Sequence, residues 1–268
     1  MKPAWQPSPL LLSQLAVHAA AVLAVLRHPA DWPWALATIL LSQTLLMAVC
    51  LWPRSQSMGA NLVRLPPAAA QRGEVAITID DGPDPLVTPQ VLAILQHYGV
   101  RATFFFIGAR AAAHPALCRS VLAAGHRIEN HGAHHPTLLA FSGPAGWRRE
   151  IIDGQRLLQD ITGQAPAFYR AVAGLRNPFL DPVLHRCGLR LASWTRRGFD
   201  TRETDPDKVL QRLTRQLAAG DILLLHDGHA AHTRDGAALI VSVLPRLLEQ
   251  LRARGLTPVT LAQACGLP

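Results

Sequence analysis

Two adjacent carboxylates, Asp80 and Asp81, close the apolar run 75–79 and are followed at once by Gly82-Pro83. Side chains alternate across a strand, so the Gly-Pro turn has to help aim both acids in one direction. Taken alone, Asp-Asp-Gly-Pro-Asp-Pro is an ordinary solvated turn, and partners are what would make it a site. The stretch Asn130-His131-Gly132-Ala133-His134-His135-Pro136 supplies them. His131 and His135 are four residues apart and can bring both rings to one point, with His131 and His134 as the competing pair. Imidazole suits zinc, cobalt, nickel or iron, and a carboxylate such as Asp81 completes a set of three protein ligands that leaves coordination open. A third group, His226-Asp227-Gly228, follows the apolar run 222–225. A histidine there can simply end a buried strand, but beside the other two groups it can serve as an acid. The chemistry suited to this combination is hydrolysis with a metal, a base and an acid. A two-histidine, one-carboxylate iron oxygenase has a similar ligand triad but no use for Asp80 and His226.

These groups fall where short β-branched or apolar runs end. Strands are predicted at 74–79, 102–107, 127–130, 167–170, 190–194, 221–225 and 257–259. Helices are predicted between them at 88–98, 115–124, 146–162, 178–187, 206–219 and 236–254, several stopped by a glycine such as Gly99, Gly125 or Gly188. Such alternation means parallel strands joined by right-handed crossovers. The candidate polar groups lie past the ends of many strands, which one pocket collects most naturally if the sheet curls into a barrel. An open doubly wound sheet would gather its site at a single switch point. No Gly-x-Gly-x-x-Gly or Walker sequence follows the first strand, so nucleotide binding has no support.

Composition narrows the classes further. Of 268 residues 49% are hydrophobic and 16% charged, which supplies a core and excludes a dominantly disordered chain. Cys50, Cys118, Cys187 and Cys265 are far apart, so neither a disulfide framework nor a thiolate zinc knuckle is written here. The 26 Lys and Arg against 18 Asp and Glu give +8, but the arginines are scattered without interleaved aromatics, which argues against nucleic acid as a partner.

Residues 1–53 differ from the rest. The apolar runs 10–26 and 32–52 both approach the thickness of a bilayer, and the second, flanked by tryptophans and ended by Pro53-Arg54, reads as a membrane span. The first is shorter and more polar, so one or two N-terminal transmembrane helices are expected. Gln14 and His18 share a helical face within reach of Gln43 or Thr44, although a lone histidine in such a segment is ordinarily incidental. Residues 54–73, rich in Pro, Gly and Ala, read as a linker, and 74–268 as the catalytic domain. With two spans, Lys2, Arg54, Arg64 and Arg72 outnumber Arg27 in the connecting loop and favour a cytoplasmic domain, whereas an envelope glycan substrate favours the outer side.

Thr78-Ile79-Asp80-Asp81-Gly82-Pro83, then His131-x-x-x-His135-Pro136, Arg170, Asp200 and Leu223-x-x-His226, in that order, resemble the NodB-type polysaccharide deacetylases, carbohydrate esterase family 4. The resemblance covers roughly residues 74–260. It implies a distorted (β/α)7 barrel and a metal-dependent amide hydrolase that removes N-acetyl groups from a sugar in a glycan or a lipid-linked saccharide. Asp81, His131 and His135 would be the metal ligands, with zinc foremost and cobalt or nickel as alternatives. Asp80 would be the base, held by Arg170, and His226 the acid, tuned by Asp200. A backbone N–H in the turn after Arg170 would help receive the developing oxyanion. The bacterial inner membrane is the implied location, with membrane lipid around the N-terminal helices. The family's usual Arg-Pro-Pro-aromatic-Gly stands here as Arg170-Ala171-Val172-Ala173-Gly174, which removes an aromatic from the sugar subsite. That loss motivates an alternative, a degenerate member that binds glycan without cutting it; another metal-dependent amidohydrolase is a further one. Trp194 and Phe199 flank the Asp200 loop, and ordinary core packing is the expected role of Trp194.

Overall fold

The computed structural model describes residues 4–267. The chain begins with helix α1 (Pro9–Arg27), reverses through a 3-10 turn at Pro29–Asp31 and returns as α2 (Trp32–Cys50). Both helices are long and apolar enough to cross a membrane, with mean hydropathies of 2.0 and 1.6. Polar groups join them: Ser42 Oγ donates to Gln14 Oε1 at 2.5 Å, and Gln43 Nε2 lies 3.0 Å from His18 Nε2. Ser42 thus takes the place expected of Thr44, whose hydroxyl instead bonds back to the Leu40 carbonyl at 2.8 Å.

A short helix α3 (Pro67–Gln71) leads into β1 (Glu74–Asp80), α4 (Thr88–His97), β2 (Thr103–Phe106), α5 (Gly108–Ala113), α6 (Pro115–Ala123) and β3 (Arg127–Asn130). Then come α7 (Pro144–Thr162), β4 (Phe168–Tyr169), α8 (Leu180–Cys187), β5 (Arg190–Leu191), β6 (Arg196–Arg197) and α9 (Pro206–Thr214). β7 (Ile222–His226), α10 (Leu239–Ala253), β8 (Thr257–Val259) and α11 (Leu261–Ala264) complete the chain. The helix expected to reach residue 219 stops at Thr214, where Arg215 becomes extended and Gln216 takes a positive φ of 55°. The two-residue strand β6 is additional to the seven expected and too short to leave a sequence signature.

All strand pairs are parallel, in the order β5-β4-β3-β2-β1-β7-β6, the curled sheet of a distorted (β/α)7 barrel. β8 runs beside the first half of β1, Glu74–Ala76, and β2 beside its second half. β5 and β6 do not pair with each other. Between them lies a strip that composition had marked as linker: Leu62 N donates to the Leu191 carbonyl and Ser193 N to the Leu62 carbonyl, each at 2.9 Å. Thr195 Oγ1 donates to the Val63 carbonyl at 2.7 Å. Residues 54–73 are therefore folded onto the barrel, with Met58, Leu65 and Ala69 buried. Backbone bridges to distant strands place them, and no local periodicity announces such contacts.

Strand alternation sorts the core into two layers. Val75, Ile77 and Ile79 of β1 and Leu223 and Leu225 of β7 face the helices α4, α9 and α10. Ala76, Ile222 and Leu224 face the barrel interior with Phe105, Phe168 and Trp194. Each fully buried Leu, Ile or Phe contributes about 1.5–3 kcal/mol, so the outer layer provides most of the rigidity on which the interior side chains rest. Inward alternation continues through Thr78 and Asp80 on β1 and His226 on β7, and the register sets Asp80 directly beside His226.

Candidate active site

Alternation alone would point Asp81 out toward the helices. Asp81 instead adopts a left-handed backbone, φ 73°, which aspartate tolerates better than most residues and which returns its carboxylate to the barrel mouth. The next residue, Gly82, lies so close to the Asp227 carboxylate and the Phe106 ring that no side chain fits there. Both Asp80 and Asp81 are consequently buried and face one cavity.

β3 delivers the imidazoles. Asn130, its last residue, fixes the following loop by accepting from Gly132 N at 2.7 Å and donating to the Ile151 carbonyl at 3.0 Å. Positive φ angles at Gly132 (90°) and His135 (59°) fold the loop back. Glu150, reaching over from α7, accepts from the backbone N–H groups of His134 at 2.6 Å and His135 at 2.8 Å. The outcome is that His131 Nε2 stands 3.1 Å and His135 Nε2 3.2 Å from Asp81 Oδ1, all three donor atoms lying within 4.8 Å of one another. His134 is exposed, which resolves the choice between the two histidine pairs.

The remaining bonds of His131 bear on what this triad can hold. Its Nδ1 is 2.9 Å from the Arg170 carbonyl, which only accepts, so Nδ1 carries a proton and Nε2 is the nitrogen turned toward Asp81, free to offer its lone pair to a metal. Asp81 Oδ1 is buried and has no hydrogen-bond partner. Lone pairs about 3 Å apart repel unless something positive lies between them, and a cation satisfies all three donors at once. Burial works to raise the Asp81 carboxyl, but the imidazoles of His131, His135 and His229 outweigh it and hold it well below the usual carboxylate range. Burial likewise lowers His131, and the Asp80 and Asp81 carboxylates reverse that and raise it.

Asp80 is held from one side. Arg170 Nη1 donates to Asp80 Oδ1 at 2.6 Å and to Thr78 Oγ1 at 2.8 Å, while its Nε and Nη2 donate to the carbonyls of Ala192 and Ser193 at 3.1 and 2.8 Å. The Phe105 ring lies 4.0 Å beneath the same guanidinium. Such a buried, fully bonded arginine leaves Asp80 Oδ2 toward the triad, 3.9 Å from His131 Nε2. Across the mouth, His226 Nδ1 bonds Asp200 Oδ1 at 2.8 Å, and Asp200 Oδ2 accepts from His226 N at 2.7 Å. Burial pushes the His226 imidazole down, but the Asp200 charge and hydrogen bond overcome it and raise the pKa to about 9. The ring is therefore a cation at neutral pH, with Nε2 left to face the cavity.

The structure gathers Asp80, Asp81, His131, His135, Arg170, Asp200 and His226 around one cavity of about 460 Å³ or directly behind its wall. Ala171, Val172 and Ala173 line it where the sequence lacks an aromatic, and Trp194 is at once core and wall. Four supporting residues escaped sequence reasoning. Glu150 looks like a solvated residue of an amphipathic helix. His229 Nδ1 lies 3.3 Å from Asp81 Oδ2, and Arg110 reaches both His229 Nε2, at 2.7 Å, and the Asp81 carbonyl, at 2.8 Å. Asp227 is buried beneath the Gly82 turn, where it accepts from Thr88 Oγ1 and Gly228 N, and burial raises its pKa to about 7. Asp227 was visible only as the neighbour of His226, and His229 only as a second histidine three residues further on; Arg110 had no signal.

The chain is similar to known proteins. The family profile described as polysaccharide deacetylase matches residues 68–192. A peptidoglycan-N-acetylglucosamine deacetylase of Bacillus cereus is 34% identical over 178 residues, 66% of this chain and 82% of the relative. A chitooligosaccharide deacetylase of Sinorhizobium fredii is 33% identical over 190 residues, 68% of this chain and 86% of the relative. A solved peptidoglycan N-acetylglucosamine deacetylase, in complex with an N-oxidanyl-benzamide compound, superposes with a TM-score of 0.70 at 27% identity, covering 78% of this chain and 94% of its own.

Proposed function

The chain belongs to the polysaccharide deacetylase family, carbohydrate esterase family 4, and from that membership together with the site geometry we propose how it works and on what. It is a hydrolase that removes N-acetyl groups from sugars. In our reading Asp81, His131 and His135 hold one divalent ion, zinc foremost, and the buried, unpartnered Asp81 Oδ1 between two imidazole nitrogens is the observation that carries this assignment. When bound there, the ion supplies Lewis acidity and lowers the pKa of a water molecule from about 15.7 toward about 7.

The chain's own residues do the proton work. Asp80 takes the proton of the attacking water at Oδ2, because Arg170 occupies Oδ1 and prevents the carboxylate from turning away. His226 gives its Nε2 proton to the departing sugar amine; Asp200 keeps it charged until then and fixes the ring by a second bond to its backbone. Arg170 and Asp200 are thus positioning residues for a base and an acid set side by side on β1 and β7. Retention of both speaks against a member that only binds glycan.

The substrate we propose is an N-acetylated sugar of an envelope glycan or a lipid-linked saccharide. Residues 1–53 anchor the enzyme in a bacterial-type inner membrane through the α1–α2 hairpin, and 74–268 form the catalytic domain. The test is acetate release from a panel of N-acetylated glycans, with the metal removed and returned. Asp80→Asn should lower kcat by about 10²–10⁴ while bound metal stays near stoichiometric by elemental analysis. Full activity in that variant would refute the base assignment. Reporter fusions after residue 72 would fix which side of the membrane the domain faces.

A further inference from the structure

A second cavity, of about 360 Å³, opens beside the first and shares Trp194 and Arg197 with it. Its other walls include Trp52, Pro53 and Arg54, which directly follow α2, together with Phe199 and Arg212. The hairpin end is fixed here by several bonds. Ser193 Oγ donates to the Pro53 carbonyl at 2.7 Å, Arg54 Nη1 to the Thr195 carbonyl at 3.1 Å, and Arg176 N to the Cys50 carbonyl at 3.3 Å. Pro53 and Trp194 also lie so close to Gly174 that no side chain fits there. The catalytic mouth is therefore joined to the point where the apolar hairpin ends.

Positive charge accumulates at that junction and is only partly matched by acids. Arg212 pairs with Glu203 at 3.0 Å and Arg196 with Asp221 at 2.8 Å. Among the described residues, no carboxylate lies within 4.0 Å of the guanidinium of Arg54, Arg197 or Arg202, the last of which lines the catalytic cavity. Arg197 lies against two rings, its Cζ 5.4 Å from the Trp194 centroid and 5.1 Å from that of Phe199, and its Nε is buried without a hydrogen-bond partner. A phosphate or pyrophosphate offers the dense, forked acceptors that guanidinium groups match.

We propose that this cleft binds the phosphate or pyrophosphate that joins a sugar to a lipid tail, so that the substrate is a membrane-borne, phosphate-linked N-acetylated sugar presented to the active site from the lipid side. The proposal rests on the deacetylase reading and on the hairpin lying in a bilayer. Three parts of such a molecule meet three features in the right order. The sugar enters the cavity beside Asp80 and His226, the anion sits on Arg54 and Arg197 one cavity over, and the tail passes the exposed apolar surface of Leu51 and Trp52 into the membrane. Small residues at Ala171 and Ala173 leave little ring surface to grip a polymer, which shifts recognition toward charge.

The test uses the full chain with its metal in nanodiscs of zwitterionic lipid. Three substrates carry the same N-acetylglucosamine: a prenyl diphosphate conjugate, a neutral prenyl glycoside with the same tail, and a soluble oligosaccharide. Deacetylated product is followed by mass spectrometry. The expected kcat/KM is at least about tenfold higher for the diphosphate than for the neutral prenyl glycoside, and Arg54→Gln with Arg197→Gln collapses that ratio while Arg54→Lys preserves part of it. A prenyl phosphate lacking the sugar should compete with the diphosphate substrate in the unaltered enzyme, where prenyl alcohol does not, an arm that needs no variant to fold. Equal rates on the two prenyl substrates, an unchanged ratio in the double variant, or no competition by prenyl phosphate would overturn the proposal. So would an arginine effect that follows the anionic phospholipid content of the nanodisc whatever the substrate, which would make the cleft a general headgroup site. Activity on the soluble oligosaccharide alone would leave the deacetylase reading standing and sink this one; no product from any of the three would sink both.

Discussion

Asp200→Asn isolates the tuning of the acid. In the folded chain the His226 imidazole is raised from 6.5 to about 9, with Asp200 as the main opposing force to its burial. Removing the charge while keeping the shape returns the ring to 6.5 or below, a loss of roughly 3 kcal/mol of preference for the imidazolium. The fraction able to donate a proton then falls roughly thirtyfold at about pH 8 and only about twofold or less at about pH 5. The assay is kcat against pH on an N-acetylated oligosaccharide with metal saturating. The alkaline limb of the unaltered enzyme should fall near 9, and that of the variant should move to 6.5 or lower. Stability carries the same signature with a defined sign. Because the folded pKa lies above the unfolded one, the pair's contribution is fully present below 6.5 and is lost as pH rises through about 9. Chemical denaturation across that window should show the unaltered chain losing its advantage over the variant. An alkaline limb that stays near 9 in the variant, or a rate lowered by one constant factor at every pH, would refute the reasoning.

Two further substitutions probe the supports. Glu150→Ala deprives two loop N–H groups of their acceptor, so metal affinity measured by competition with a chromophoric chelator should weaken about 10–100-fold. Arg170→Met strands the Asp80 carboxylate in the barrel interior, and denaturant melts should show a loss of about 3–5 kcal/mol, with Arg170→Lys in between.

Asp80, Asp81 and His226 were legible because each stands where an apolar run stops, His131 and His135 because they cluster just past a short strand, and strand ends of a curled parallel sheet converge by topology alone. The pairing of Asp200 with His226 was less so, since Asp200 lies in a charged loop and becomes a partner only when β6 is laid against β7. Glu150 had no signal, as it occupies one position among several polar ones on α7 and its role depends on the loop it reaches. Residues 54–73 misled for a different reason. Proline and alanine without a repeating pattern look like a tether, yet a few apolar side chains suffice to seat a segment whose backbone bridges distant strands. The extents of α9 and α10 also differ from the amphipathic pattern by several residues, because local turns at Arg215 and Ala238 interrupt helices that the hydrophobic period would continue.

The strip at Leu62 and Val63 fills a gap in the barrel wall like a stave set between two others. Without it, the edges formed by β5 and β6 would stand unsealed next to the loops that carry Arg170 and Trp194. Expression of the catalytic part by itself, trimmed to the start of β1, would therefore yield a leaky vessel prone to sticking to its neighbours through bare strand edges. The shortest fragment of the catalytic domain worth preparing retains everything from Pro53 onward, because this strip and the strands are continuous parts of a single wall.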